Sequence, residues 1–175
     1  MSWPLRAVAI SGSPRTPSKS KTLAELLLQA LEKGNCTSEL IDVAELPAEA
    51  LVARAQSPAI DAAIEAIGRA RIVVAATPTY RALYTGVLKS LFDLMPPGHL
   101  RGKICIPIQT GASMAHFLSI EYGLRPLFTS LEGVPIAGVY ATDDQFDDGK
   151  PAEALVRRIN DVAMAARALG TITFG

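Results

Sequence analysis

Short, nearly unbroken apolar runs alternate along this chain with longer stretches in which apolar side chains return every three or four positions. Leu5 to Ile10 is the first run, and Ser11-Gly12-Ser13-Pro14 ends it as a turn ends a buried strand. From Ser20 the spacing becomes helical, with Leu23, Leu26, Leu27, Ala30 and Leu31 on one stripe and Gly34-Asn35 as the stop. Ser38 to Val43 reads as a second strand. Ser57 is placed to cap a helix with Pro58 in its first position, continuing through Ile60, Ile64 and Ile67. Arg71 to Ala76, with β-branched Ile72, Val73 and Val74, predicts a third strand. Beyond it the pattern predicts a helix over Thr85 to Met95, a fourth strand over Ile104 to Gln109, one long helix over Ser113 to Leu131 and a fifth strand over Val134 to Tyr140. A last helix runs from about Ala152 to Leu169.

Apolar strands in strict alternation with helices call for a parallel sheet covered on both faces, because right-handed crossovers place helices on each side. Five strands suit the order 2-1-3-4-5, a flavodoxin-like three-layer α/β sandwich, and residues 1–175 are expected to form a single domain. Ligands of such sheets bind beyond the carboxyl ends of the strands, near the point where strand order reverses. The loops after strands one, three and four are therefore the candidate site. In the helix over Thr85 to Met95, Leu88, Leu91, Phe92 and Met95 share one face, while Val87 and Leu94 widen it beyond a single stripe and suggest a subunit contact.

Composition narrows the chemistry. Seventeen basic and 17 acidic side chains cancel, so no global field would gather nucleic acid or an anionic membrane, and any bound anion needs a local site. Hydrophobic residues make up 49% of the chain, enough for a core without disulfides or metals. Cys36 and Cys105 are far apart, with Cys105 inside an apolar run, which predicts free thiols in a reducing, cytoplasmic compartment. The N-terminus lacks the features of a secretory signal, and no apolar run approaches a membrane span.

The first candidate loop, Ser11 to Thr22, is dense in hydroxyls, carries three basic residues and opens into a helix, a combination that suits a phosphate. It matches neither common glycine-rich nucleotide fingerprint, since Pro17 stands where a second glycine should fall. The second loop, Thr77-Pro78-Thr79-Tyr80 through Gly86, offers flat rings and backbone groups rather than an acid and a base. The third, Thr110-Gly111-Ala112-Ser113, is small enough for a ligand to approach the backbone. Pro126 falls within the long predicted helix and lacks the N–H that would bond the Tyr122 carbonyl, so a kink or a π-bulge is expected there.

Three sets of residues carry a resemblance to a known family: Gly12-Ser13-Pro14-Arg15 with Ser18 and Ser20; Ala76-Thr77-Pro78-Thr79-Tyr80 with Gly86-Val87-Leu88-Lys89; and Thr110-Gly111 through His116 to Tyr122, Arg125 and Pro126. The chain resembles the NADPH-dependent FMN reductases, and within them those that supply reduced flavin to alkanesulfonate monooxygenases. The resemblance implies FMN and NADPH (or NADH) as cofactors, a flavin-dependent monooxygenase as partner, and a homodimer or homotetramer. It implies that Ser11, Ser13, Arg15, Ser18 and Ser20 hold the FMN phosphate, and that Thr77, Pro78, Thr79 and Tyr80 with Thr110, Gly111 and Ala112 line the ring. Ala112 stands where members of the family commonly carry a second glycine. In the resembling reductases a tyrosine at the position of Tyr122 sits in a π-bulge at the subunit interface, near flavin, which implies a part in flavin exchange.

Other readings stand beside this one. An FMN-bound reductase of quinones, azo dyes or metal ions and a flavodoxin-type electron carrier share the fold. Gly111-Ala112-Ser113-Met114-Ala115 is one residue from a serine-hydrolase elbow, but the two histidines, His99 and His116, are poorly placed for a triad, and the role of His116 is open. Asp143 to Asp148 lacks the glycine of a calcium loop and reads as a solvated connection, so no metal is expected.

Overall fold

The computed structural model describes residues 4–171. Five strand positions form one parallel sheet: β1 (Leu5–Ser11), β2 (Cys36–Asp42), β3 (Ile72–Pro78), β4 (Ile104–Gly111) and a fifth position shared by β5 (Val134–Pro135) and β6 (Val139–Thr142). The order is β2-β1-β3-β4-β5, with β6 also pairing β4, so the expected flavodoxin-like topology is present.

Alternation within the apolar runs sorts the core into two layers. Ala7, Ala9, Ile72, Val74, Ile104 and Ile106 pack on one face, under Leu23, Leu27 and Leu31 of α1 (Lys19–Glu32) and Leu155 and Ile159 of α6 (Glu153–Gly170). Val8, Ile10, Val73, Ala75 and Cys105 pack on the other, under Ile60 and Ile67 of α3 (Pro58–Arg69) and Leu88 and Leu91 of α4 (Gly86–Asp93). Runs that look uniformly apolar in sequence thus serve two cores. Both cysteines are free, and burial pushes the Cys105 thiol up to about 12, which leaves it unreactive.

Three expectations need correction. The predicted second strand begins earlier, at Cys36, and Val43 belongs to a 3-10 turn that precedes the short helix α2 (Ala48–Leu51). Ser57 is the N-cap of α3, but its side chain makes no cap hydrogen bond. Val87 and Leu94, which widen the apolar face of α4, are partly buried against the chain's own core.

The largest correction concerns the segment after β4. In place of one helix there is a 3-10 turn (Met114–His116), a π segment (Ile120–Leu124) and the short helix α5 (Arg125–Thr129). The π register shows in the Arg125 N–H, which bonds the carbonyl of Ile120 five residues back. Pro126, lacking an N–H, cannot restore the ordinary register at the next step, so the expected bulge is where the proline requires it.

The fifth strand is broken at Ile136–Gly138 for a backbone reason. The Pro107 carbonyl of β4 faces Gly138, lying only 2.2 Å from where a Cβ on that glycine would stand. The missing N–H of Pro107 is on the same edge, so β4 offers no donor there and the ladder resumes only at Val139.

Candidate functional site

Register brings the three loops together. Ser11 pairs with Ala76, Ala76 with Ile108, and Ile108 with Val139, so the carboxyl ends of the strands are level and their loops share one rim. Each loop is then tied to its neighbour. The Gly12 N–H donates to the Ala76 carbonyl at 2.8 Å, and the Thr79 N–H to the Thr110 carbonyl at 2.6 Å.

A buried threonine pair locks the first two loops. The Thr85 hydroxyl donates to the Gly12 carbonyl at 2.5 Å and accepts from the Leu88 N–H at 3.1 Å, capping α4. The Thr85 N–H in turn donates to the Thr77 hydroxyl at 3.2 Å. Gly12 permits this closeness, since a Cβ there would stand 2.6 Å from Cβ of Leu88. Thr85→Val keeps the shape but removes the cap and orphans the glycine carbonyl. It is expected to lower stability by about 2 kcal/mol in urea unfolding; an unchanged midpoint would mean that this junction carries no strain-free bond worth losing.

Between the loops lies a cavity of about 350 Å³ lined by Ser13, Arg15, Pro17, Ser18, Lys19, Pro78, Thr79, Tyr80, Thr110, Gly111, Ala112 and Asp143. Ser13 and Ser18 are held in place locally: the Ser13 hydroxyl bridges the carbonyl and N–H of Arg15 at 3.0 and 3.2 Å, and the Ser18 hydroxyl caps α1 by accepting from the Lys21 N–H at 3.3 Å. The Arg15 guanidinium stands 6.0 Å from the centroid of the Tyr80 ring. Tyr80 itself is 39% exposed, and its turn through Arg81 and Ala82 is drawn tight by two positive φ angles, 50° and 67°. The turn is closed by bonds between Tyr80 and Leu83.

Of the residues singled out from sequence, Ser13, Arg15, Ser18, Pro78, Thr79, Tyr80, Thr110, Gly111 and Ala112 line this cavity, while Ser11, Ser20 and Thr77 are fully buried outside its lining. Tyr122 is outside it too, 77% exposed on the π segment. Pro17 and Lys19, within the first candidate loop but not singled out as ligands, also line the cavity; sequence reasoning missed Asp143 in the lining, and Thr85 and Tyr140 in its support. Tyr140 reaches the site from the fifth strand: its hydroxyl donates to the Ser113 carbonyl at 2.9 Å and would lie 2.2 Å from a Cβ on Gly111. A serine nine residues past a strand start gives no local sign that a distant tyrosine will hold its carbonyl.

The site fits a phosphate-bearing planar ligand. The hydroxyl of Thr79, in the lining, is buried and has no protein partner, and the same holds for the hydroxyl of Ser11; buried hydroxyls of native proteins are normally satisfied, and a ligand would satisfy the first. Gly111 keeps its wall of the slot free of side chain. By contrast the Ser113 hydroxyl caps the 3-10 turn through the Ala115 N–H at 3.1 Å, and the His99 ring bonds the Ile64 carbonyl at 2.9 Å, so neither is arranged as nucleophile or base. Among the described residues no group of three or more His, Cys, Asp or Glu side chains could hold a metal, and no helix is long and apolar enough to cross a membrane.

A parallel sheet of this order, with a cavity lined by hydroxyl, basic and small residues at the carboxyl ends of its strands, has the architecture of the flavodoxin-like mononucleotide-binding proteins. Comparison with known proteins carries this further. The chain belongs to the NADPH-dependent FMN reductase family, whose model matches residues 5–148. It is 36% identical to the FMN reductase (NADPH) of Escherichia coli K12 over 146 residues, 82% of this chain and 76% of that one. It is 37% identical to the NADH-dependent FMN reductase SfnF of Pseudomonas fluorescens Pf0-1 over 167 residues, covering 90% and 89% of the two chains. The apo crystal structure of the NADH:FMN oxidoreductase EMOB superposes with a TM-score of 0.87 at 31% identity, covering 94% of this chain and 89% of that one. The protein is accordingly an oxidoreductase that uses NAD(P)H to reduce FMN.

Proposed function

We propose that the chain takes FMN as an exchangeable substrate, reduces it with NAD(P)H and releases reduced flavin to a flavin-dependent monooxygenase. The observation that supports this reading is the three-loop cavity, whose lining combines Ser13, Arg15 and Ser18 with Tyr80 and with Gly111 and its neighbours. In this reading Ser13, Arg15 and Ser18 receive the phosphate; Ser20 supports Ser18 through their hydroxyl contact at 3.1 Å, and Ser11 is buried at the end of β1. Pro78, Thr79, Tyr80, Thr110, Gly111 and Ala112 bound the ring, and Thr77 braces the second loop through Thr85.

Bound flavin supplies the hydride acceptor and the nicotinamide the donor, so the protein needs no acid or base of its own. Its residues position: the Ser13 hydroxyl holds the turn that carries Arg15, the Arg15 guanidinium would meet the phosphate, and the Thr79–Thr110 backbone bond holds the two ring-lining loops at a set spacing. Tyr122 belongs to this reading as a residue of a contact between copies in a homodimer or homotetramer. Its exposure in the single chain and its seat on a π segment, a feature frequent at functional sites, support that role. The two free thiols suit a cytoplasmic location.

The test is anaerobic titration of the purified protein with FMN, followed by NADPH and NADH oxidation with excess free FMN. Turnover of many equivalents of free FMN is expected. Flavin bound stoichiometrically without turnover would replace this reading with the electron carrier. Tyr122→Ala is expected to turn over free FMN more slowly and to retain flavin through gel filtration; unchanged affinity and release would remove Tyr122 from the proposal.

A further inference from the structure

Lys19 and Asp143 meet in the wall of the cavity, and neither belongs to the hydroxyl-and-arginine motif. Lys19 is the first residue of α1, directly after its cap Ser18. Asp143 opens the 3-10 turn that follows β6, 124 residues further on. The Lys19 Nζ lies 2.8 Å from Oδ1 of Asp143 and 5.2 Å from the centroid of the Phe146 ring. Both side chains line the cavity that also holds Ser13, Arg15 and Ser18.

A carboxylate is an odd component of an anion site. It repels a phosphate directly, and here it also engages one of the two cations that the lining provides. Folding stability does not account for its position, because the two side chains are 36% and 56% exposed and ion pairs of that kind contribute little. The turn does not need a charge at this position either, since its closure runs from the Thr142 N–H to the Gln145 side chain at 3.0 Å.

We propose that Asp143 is an exchange-determining residue for the flavin phosphate: by engaging Lys19 and by its own charge it weakens the grip on the dianion, so that flavin leaves after reduction. This rests on the reading that the phosphate lies among Ser13, Arg15 and Ser18. A tightly retained cofactor would gain from a free lysine at the start of a helix, where the backbone dipole already favours an anion. A substrate that must leave each cycle gains from the opposite arrangement, in which the cation is shared with a fixed competitor. Phe146 keeps the ammonium over its ring face, so Lys19 stays within reach of both carboxylate and ligand.

Asp143→Asn keeps the size and hydrogen-bonding shape of the side chain while removing its charge. Dissociation constants for FMN and for riboflavin, which has the ring but no phosphate, are measured by quenching of flavin fluorescence for wild type, Asp143→Asn, Lys19→Met and the double variant. Asp143→Asn is expected to bind FMN about tenfold more tightly, to leave riboflavin within twofold, and to turn over free FMN with a lower kcat as release slows. Lys19→Met is expected to bind FMN more weakly than wild type, and adding Asp143→Asn to it is expected to recover part of the loss. FMN affinity unchanged or weakened in Asp143→Asn, or riboflavin tightened equally, would overturn the proposal. The phosphate reading fails separately, and the proposal with it, if wild type does not prefer FMN to riboflavin or if Arg15→Ala leaves FMN affinity untouched.

Discussion

Gly111→Ala is expected to lower kcat/KM for FMN by about a hundredfold, and Tyr140→Phe introduced beside it is expected to restore much of the loss. An alanine methyl at this position would stand 2.2 Å from the Tyr140 hydroxyl and 3.2 Å from both Cζ of Tyr140 and the Thr79 hydroxyl. Tyr140 is buried, and its hydroxyl is engaged with the Ser113 carbonyl at 2.9 Å, so it cannot simply swing away. Either that bond breaks or the end of β4 moves, and in both cases the third loop shifts in the wall of the cavity. Removing the hydroxyl takes away the severe contact and leaves only the two at 3.2 Å, which a small side-chain adjustment relieves. Tyr140→Phe alone loses one hydrogen bond, about 1 kcal/mol. Steady-state kinetics on the four members of this cycle decide the matter: losses that simply add would show that Gly111 matters for some reason other than Tyr140.

Gly138→Ala is expected to destabilise the fold by about 3 kcal/mol or more, lowering the melting temperature by roughly 10 °C. Here the nearest atom to the added methyl is a main-chain oxygen, the Pro107 carbonyl at 2.2 Å, with Cγ of the same proline at 2.5 Å. A carbonyl inside a strand paired on both sides cannot retreat without carrying β4 with it. Trimming the side chain should therefore not help, and Pro107→Ala combined with Gly138→Ala is expected to remain as unstable as Gly138→Ala alone. Recovery in the double variant, measured by thermal or urea unfolding, would show that the proline ring rather than the backbone sets the limit. The contrast with Gly111 is physical: a flexible side chain can be removed, whereas a strand carbonyl cannot.

These two glycines also mark where local reading ends. Apolar runs and helical spacing suffice for the alternating elements, and alternation suffices for the parallel order β2-β1-β3-β4-β5, because connection handedness leaves few alternatives. The hydroxyl-rich turn after β1 and the small residues after β4 were likewise legible, since their chemistry is carried by adjacent residues. Pro126 located the π segment for the same reason: a missing N–H acts within one helical turn.

Features that depend on contacts between distant parts of the chain were not legible. The break in the fifth strand arises from Pro107, and the pairing of Lys19 with Asp143 joins residues 124 positions apart. Thr85 gives no local sign that its hydroxyl will hold Gly12, 73 residues away. Val87 and Leu94 look surplus along one helix, and their partial burial comes from a core assembled from other elements. Periodicity and turn chemistry act over a few residues and survive in the order of the letters. Close approach, shared hydrogen bonds and the pairing of opposite charges exist only once β1, β3, β4 and β6 have come into register.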